Sequence, residues 1–258
     1  MISFQSVLKD ARCLIVLFTG YLPAKQAPYG KVALSSYYVA SNYSYHATKK
    51  FVRYLQDCGM KAVHTVTLSA KDAAKKAGGF IGDNGFYYHD RLGSFVCIQT
   101  VLTDVDLPVD NADSDAACLH CGACSRECPS KAVGNIHNCL RYYINTLIPE
   151  ALRKDVYQLF GCEKCQSACP LNSRDQSEPS TFFLDDLIKG TLTNEIKALA
   201  GTNMVSAARL LSQAVILAAN TGANHLTGHI KEISEHADEP LCTHARWAFK
   251  KLTGKDQT

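Results

Sequence analysis

The sequence has no long hydrophobic run. Its first apolar stretch, "CLIVLF" from Cys13 to Phe18, is six residues long, and no basic segment precedes it. That is too short for the apolar region of a secretory signal and far too short for the roughly 20 residues of a membrane-spanning helix. The run reads as a buried strand, and we expect a cytoplasmic protein with no membrane partner. Charge of one sign is also scarce. The 258 residues carry 27 Lys and Arg against 24 Asp and Glu, a net +3. This balance neither requires nor excludes a nucleic-acid partner. Hydrophobic residues make up 47% and charged residues 20%, ordinary values for a chain that folds around its own core.

Cysteine, by contrast, is plentiful, with twelve in the chain. In a reducing compartment, clustered cysteines bind metal more often than they form disulfides. "CLHCGACSRECP" sets Cys118, Cys121, Cys124 and Cys128 at C-x₂-C-x₂-C-x₃-C-P spacing, and "CEKCQSACP" repeats the ending with Cys162, Cys165 and Cys169. In two-cluster ferredoxins the first three cysteines of such a run hold one [4Fe–4S] cluster and the fourth crosses to the other. The allotment follows. Cys118, Cys121 and Cys124 take Cys169 as fourth ligand, while Cys128 joins Cys162 and Cys165. The second site is then one sulfur short, and Cys139, between the motifs, completes it. Structural zinc is the alternative, since paired C-x₂-C units also bind zinc. Cys13, Cys58, Cys97 and Cys242 are scattered among apolar residues and read as small buried hydrophobes.

Along the chain the composition shifts twice. Residues 1–112 alternate strand-like runs ("RCLIVLF", "KAVHTVTL", "GSFVCIQTVLT") with helical ones ("HATKKFVRYLQDCG", closing on Gly59, and "SAKDAAKKAGG", opening on Ser69), which suggests an α/β sheet. Residues 113–180 hold the cysteine motifs, after a polar linker, "PVDNADSDAA". Residues 181–258 read as amphipathic helices separated by glycine turns, the rhythm of stacked helical repeats, docked on the rest. The fold class expected is α+β: an α/β domain, an inserted ferredoxin-like module for two [4Fe–4S] clusters, and a C-terminal helical segment.

Four stretches together resemble the epoxyqueuosine reductase family, cobalamin- and iron–sulfur-dependent enzymes related to reductive dehalogenases. "AGGFIGDNGFYYHDRLGSF" is similar to the family's G-W-I-G-K-N segment and following G-S-W. The first cysteine motif stands at the family's distance from it. "NIHNCLRYYINTL" resembles the stretch with the family's lone intermediate cysteine, and "PLCTHARWAFKKL" its C-terminal HEAT-type helix. The resemblance implies cobalamin on the α/β domain near one cluster, with Gly79, Gly82, Asn84, Gly93 and Ser94 giving the corrin room. It implies electrons supplied by a low-potential donor of ferredoxin or flavodoxin type, and a tRNA-borne modified guanine as substrate. "SSYYVASNYSYH" aligns with the family's R-Y-A-x-G-R-D-Y-H, placing Tyr37 and Tyr43 on its tyrosines: Tyr37 to line a corrin face, Tyr43 to donate a proton.

The departures are specific. The chain begins later than the family pattern, both arginines of the R-Y-A-x-G-R-D-Y-H element are lost, and Asp83 replaces the lysine of G-K-N. The family's D-S/T-A-P element, with its proton-donating aspartate, corresponds to "VHTV", Val63 to Val66, which has no carboxylate. Reducing an epoxide to an alkene expels oxygen as water and needs an acid within reach. His64 is the nearest titratable substitute. These losses leave open a rival reading, an electron-transfer protein that reduces a corrinoid on a partner.

Overall fold

The computed structural model describes residues 4–66, 69–109 and 116–255. A short helix, α1 (Phe4–Val7), leads into β1 (Cys13–Gly20), and β2 (Lys31–Ala33) precedes the long helix α2 (Ser36–Asp57). Then come β3 (Ala62–Thr65), α3 (Ala70–Lys76), the small hairpin β4 (Phe80–Ile81) and β5 (Tyr87–Tyr88), and β6 (Val96–Thr103). The main sheet runs β1-β6-β3, with β6 antiparallel to both neighbours. The helix–strand alternation is as expected, but the sheet is not the parallel one that such alternation suggests. The last strand inserts between the first and third, a pairing across some 80 residues that local pattern does not encode.

Period-two burial explains the sheet's two faces. Ile15, Leu17, Ala62 and Val101 pack with Phe51, Val52 and Leu55 of α2, while Val16, Phe18, Val96 and Ile98 pack with Ala74 of α3 and with Tyr87. Ser69 caps α3 by accepting from the Asp72 amide at 3.3 Å. Helix α2 closes at Cys58 and Gly59, whose φ of +82° suits glycine. It starts earlier than its apolar periodicity indicates and absorbs the tyrosine segment.

The cysteine region is mostly loop, with short helices α4 (Ala123–Glu127), α5 (Glu150–Arg153) and α6 (Lys164–Ser167). After it, β7 (Thr181–Phe183) returns to pair with β2, and α7 (Leu184–Ile188), α8 (Thr193–Ala200), α9 (Ala207–Thr221), α10 (Thr227–His236) and α11 (Leu241–Thr253) complete the chain. One core unites these parts. Val32 and Leu34, Leu140, Ile148, Leu159 and Phe160, and the inner faces of α7 to α11 form a single apolar cluster. Helix α9 lies at its centre, capped by the Ser206 hydroxyl, which accepts from the Arg209 amide, and ended by Gly222 in the left-handed region. The expected linker falls partly on residues 110–115, outside the described residues.

Candidate metal centre and adjoining groove

Two groups of cysteines emerge from the loops. Cys118, Cys121, Cys124 and Cys169 line one small cavity, closed by Phe80, Gly82, Asp83, Asn84 and Tyr88 from the β4–β5 hairpin and by Pro170 and Leu171. Gly122, with φ +70°, turns the chain into α4 between the second and third of these sulfurs. The other group is Cys128, Cys139, Cys162 and Cys165. The Cys165 thiol is pushed up to about 12, first by burial and then by the charges of Cys162, Cys128, Cys139 and, from the first group, Cys124; Cys162 is raised by burial and by Cys139 and Cys128. Thiols that oppose one another's ionisation across a shared space form a site to which a cation is strongly drawn, and metal binding would release their protons. Cys139 sits between two 3₁₀ turns, Ile136–Asn138 and Leu140–Tyr143, with Leu140 buried beside it.

The Ala132 amide donates to Cys128 Sγ at 3.1 Å. Near the other cysteines, the Tyr157 hydroxyl accepts from the Glu163 amide at 2.9 Å and the Tyr88 hydroxyl from Asn84 Nδ2 at 2.9 Å. Four cysteines on one cavity and further thiols in mutual electrostatic reach make a donor set suited to thiolate-bound metal. Beside the first group, Asp83 takes His120 at 2.9 Å, and these two with Cys118 bring three ligand atoms within 4.8 Å of one another.

Three glycines expected beside a corrin meet the protein's own atoms on their Cβ side. A Cβ on Gly79 would meet the Tyr88 carbonyl at 2.1 Å, one on Gly82 the Tyr88 ring at 2.7 Å, and one on Gly93 the Asn172 Oδ1 at 2.2 Å. The space above each glycine is filled by the protein itself. Asn84 donates to the Tyr88 hydroxyl at 2.9 Å and accepts from the Phe86 amide. Ser94 is buried. Its amide donates to Asn172 Oδ1 at 2.7 Å, its hydroxyl accepts from Asn172 Nδ2 at 2.9 Å, and its carbonyl accepts from Gln166 Nε2 at 2.9 Å. These residues clamp the hairpin and the start of β6 onto the segment carrying Cys165 and Cys169.

The two residues expected in catalysis are not brought together. His64 lies on β3 beneath α2, its Nε2 2.7 Å from Gln99 Oε1 and its ring edge-on to Tyr45. Tyr43 is 69% exposed on the outside of α2. Tyr37 turns inward, its ring 4.4 Å from the Arg141 guanidinium and in edge contact with Tyr21 and Tyr38. Tyr21 is raised far above the usual phenol range, chiefly by burial and then by the nearby Glu163. Glu163 is itself buried and accepts from the Ser35 hydroxyl at 2.8 Å, which occupies the side chain at the start of α2. Sequence reasoning singled out neither Arg141 nor Glu163, because their partners are far away along the chain.

A groove of about 1230 Å³ adjoins the cysteine-bearing helices, lined by α4, α6, the 23–33 segment and the face of α9. Lys25, Lys31, Arg126, Lys154, Lys164 and Arg174 line it, against Glu127, Glu163 and Asp185. Neither His64 nor Tyr43 reaches it.

No family model matches the chain. Curated relatives do. It is 30% identical over 194 residues to an epoxyqueuosine reductase of Cellulophaga algicola, covering 67% of this chain and 63% of that protein. It is 26% identical over 216 residues to that of Staphylococcus aureus, covering 75% of this chain and 56% of the relative. The chain is related to the epoxyqueuosine reductases. It spans about three-fifths of the length of the curated epoxyqueuosine reductases it matches. Solved structures share its fold at 20% identity. The Bacillus subtilis epoxyqueuosine reductase, with its catalytic aspartate loop swung out of the active site, superposes with a TM-score of 0.78 over 96% of this chain and 75% of that one. An epoxyqueuosine reductase holding an epoxyqueuosine-modified tRNA-Tyr stem loop gives 0.76 over the same shares. Among the described residues no helix is long and apolar enough to cross a membrane.

Proposed function

We propose that the chain is an iron–sulfur oxidoreductase that reduces a modified guanine carried by tRNA. In this reading Cys118, Cys121, Cys124 and Cys169 hold one [4Fe–4S] cluster, and Cys128, Cys139, Cys162 and Cys165 hold a second. Electrons enter one at a time from a low-potential carrier of ferredoxin or flavodoxin type. The observation that supports the reading is the shared cavity of Cys118, Cys121, Cys124 and Cys169, with Cys128, Cys139 and Cys162 in electrostatic reach of Cys165. The solved relative with a modified tRNA stem loop supports RNA as the substrate class, and the cations of the groove suit a phosphate backbone.

Cobalamin comes with the family resemblance, and the protein's own atoms stand on the Cβ side of Gly79, Gly82 and Gly93. The groove is larger than the ~300–1,000 Å³ of a pocket for a drug-sized ligand, as a corrinoid requires. Val32, Val156 and Leu217 would give it an apolar wall there. When bound, it supplies a strongly reducing metal centre beside the clusters. The residues of this chain hold the ligand, exclude water and present RNA at the basic rim.

The stretch Val63 to Val66 favours the second reading, an electron-transfer protein without a substrate of its own. It has no carboxylate, and His64 is committed to Gln99. Anaerobic turnover with an epoxyqueuosine-bearing stem loop and cobalamin separates the two. We expect the RNA to bind and to be reduced roughly 10²–10⁴-fold more slowly than by a relative that keeps the aspartate, the usual worth of a general acid. Failure to bind RNA and absence of product would together favour electron transfer alone. Turnover at the relative's rate would show that another acid serves, and its loss in His64→Ala would identify that acid.

A further inference from the structure

Arg141 stands between two segments that carry cysteines of the second set. It follows Cys139 by two residues, and a Cβ on Gly161, the residue before Cys162, would meet its Cγ at 3.4 Å. Its guanidinium lies over the Tyr37 ring at 4.4 Å and the Phe86 ring at 5.2 Å. Among the described residues it forms no ion pair with a carboxylate. Glu163, the acid that acts on it, has its Oε1 engaged by the Ser35 hydroxyl and the Tyr37 amide. A guanidinium is always charged, and the aromatic faces around it screen that charge far less than water does.

We propose that Arg141 sets the reduction potential of the cluster held by Cys128, Cys139, Cys162 and Cys165, making that cluster easier to reduce. Each one-electron reduction adds a negative charge to the cluster, with no bond made or broken and no proton required. A nearby fixed cation stabilises the reduced form more than the oxidised one. Net charge and hydrogen bonds to sulfur are the protein's main controls over such potentials, and the Ala132 amide on Cys128 Sγ acts in the same direction. The first set has its own neighbours, the Asp83 carboxylate paired with His120 and the Arg126 guanidinium held by the Cys121 carbonyl at 2.9 Å, which Arg141 substitutions leave in place.

The inference rests on the two-cluster reading, and one experiment separates them. Anaerobically purified protein is titrated potentiometrically, with electron paramagnetic resonance as the signal and iron and sulfide counted for each variant. Arg141→Gln should make one of the two reduction steps at least tenfold less favourable, a shift of about 59 mV to lower potential for one electron, and leave the other in place. Arg141→Lys, which keeps the charge, should recover most of that shift. Unmoved steps, equal displacement of both steps, or the same shift in Lys and Gln would overturn the inference. So would loss of about four irons from both variants alike, which would assign Arg141 to holding the segment. Wild-type protein with far fewer than about eight irons would instead overturn the two-cluster reading.

Discussion

Where the family pattern has an aspartate, this chain has Val63, His64 and Thr65, and the single titratable group among them is already spoken for by Gln99. At this scale the x₂ and x₃ intervals suggest ligand sets for seven of the eight cysteines, because a cluster imposes such intervals on a short loop. Cys139 enters only by its place between the motifs. The sequence is opaque where contacts cross the chain. The bond between Ser35 and Glu163 joins residues 128 positions apart, and nothing local announces it. His244 is a similar case. It is fully buried on α11 and its Nε2 accepts from the Ile148 amide at 3.0 Å. Burial, then the Arg153 charge, lowers its pKa to about 4. The folded state thus binds this proton less readily than the unfolded chain, whose histidine titrates near 6.5. The stability held by neutral His244 is present above pH 6.5 and is lost as pH falls towards 4, a loss of up to roughly 3 kcal/mol. Urea midpoints measured anaerobically between pH 7 and pH 4 should fall accordingly. In His244→Gln the fall should be shallower, and an identical slope would assign the acid sensitivity to other groups.

The β4–β5 hairpin shows how an element can be recognised while its packing partners stay hidden. The glycines were visible as points of close approach, but the sequence could not say what approaches. In the folded chain it is Tyr88, Tyr87 and Asn172, so the glycines serve the clamp between the hairpin and the Cys165–Cys169 segment. Gly93 has φ +63° and its missing Cβ points at Asn172. Gly93→Ala therefore combines a left-handed backbone penalty with overpacking and should cost roughly 2–4 kcal/mol. Gly190→Ala, with φ +75° and open space above it, carries only the backbone term, about 1 kcal/mol. Thermal melts of the two variants should differ clearly, and equal melting temperatures would refute the packing account. The sheet follows the same lesson. Each strand was legible from its own period, but the antiparallel order β1-β6-β3 depends on pairing across the whole segment.

For the whole molecule, the pairing of β2 with β7 and the shared core draw the helices of residues 181–258 against the cysteine region and the first strands. The result is a groove that has the cysteine helices on one side and cations from several parts of the chain on the others. Net charge gave no hint of it, since six cations gathered by folding are invisible in a total of +3. If phosphates lie there, Lys154→Ala and Arg174→Ala should each weaken stem-loop binding and reduce the salt slope of affinity by about one. Unchanged slopes would move the RNA elsewhere on the surface. The central claim is the pair of clusters, and the most direct measurement is iron, acid-labile sulfide and zinc per chain in anaerobically purified protein. The account predicts about eight irons and about eight sulfides without zinc. It further predicts a fall towards about four irons in Cys139→Ala and no change in Cys242→Ala. Zinc without sulfide, or a full iron complement in Cys139→Ala, would contradict it.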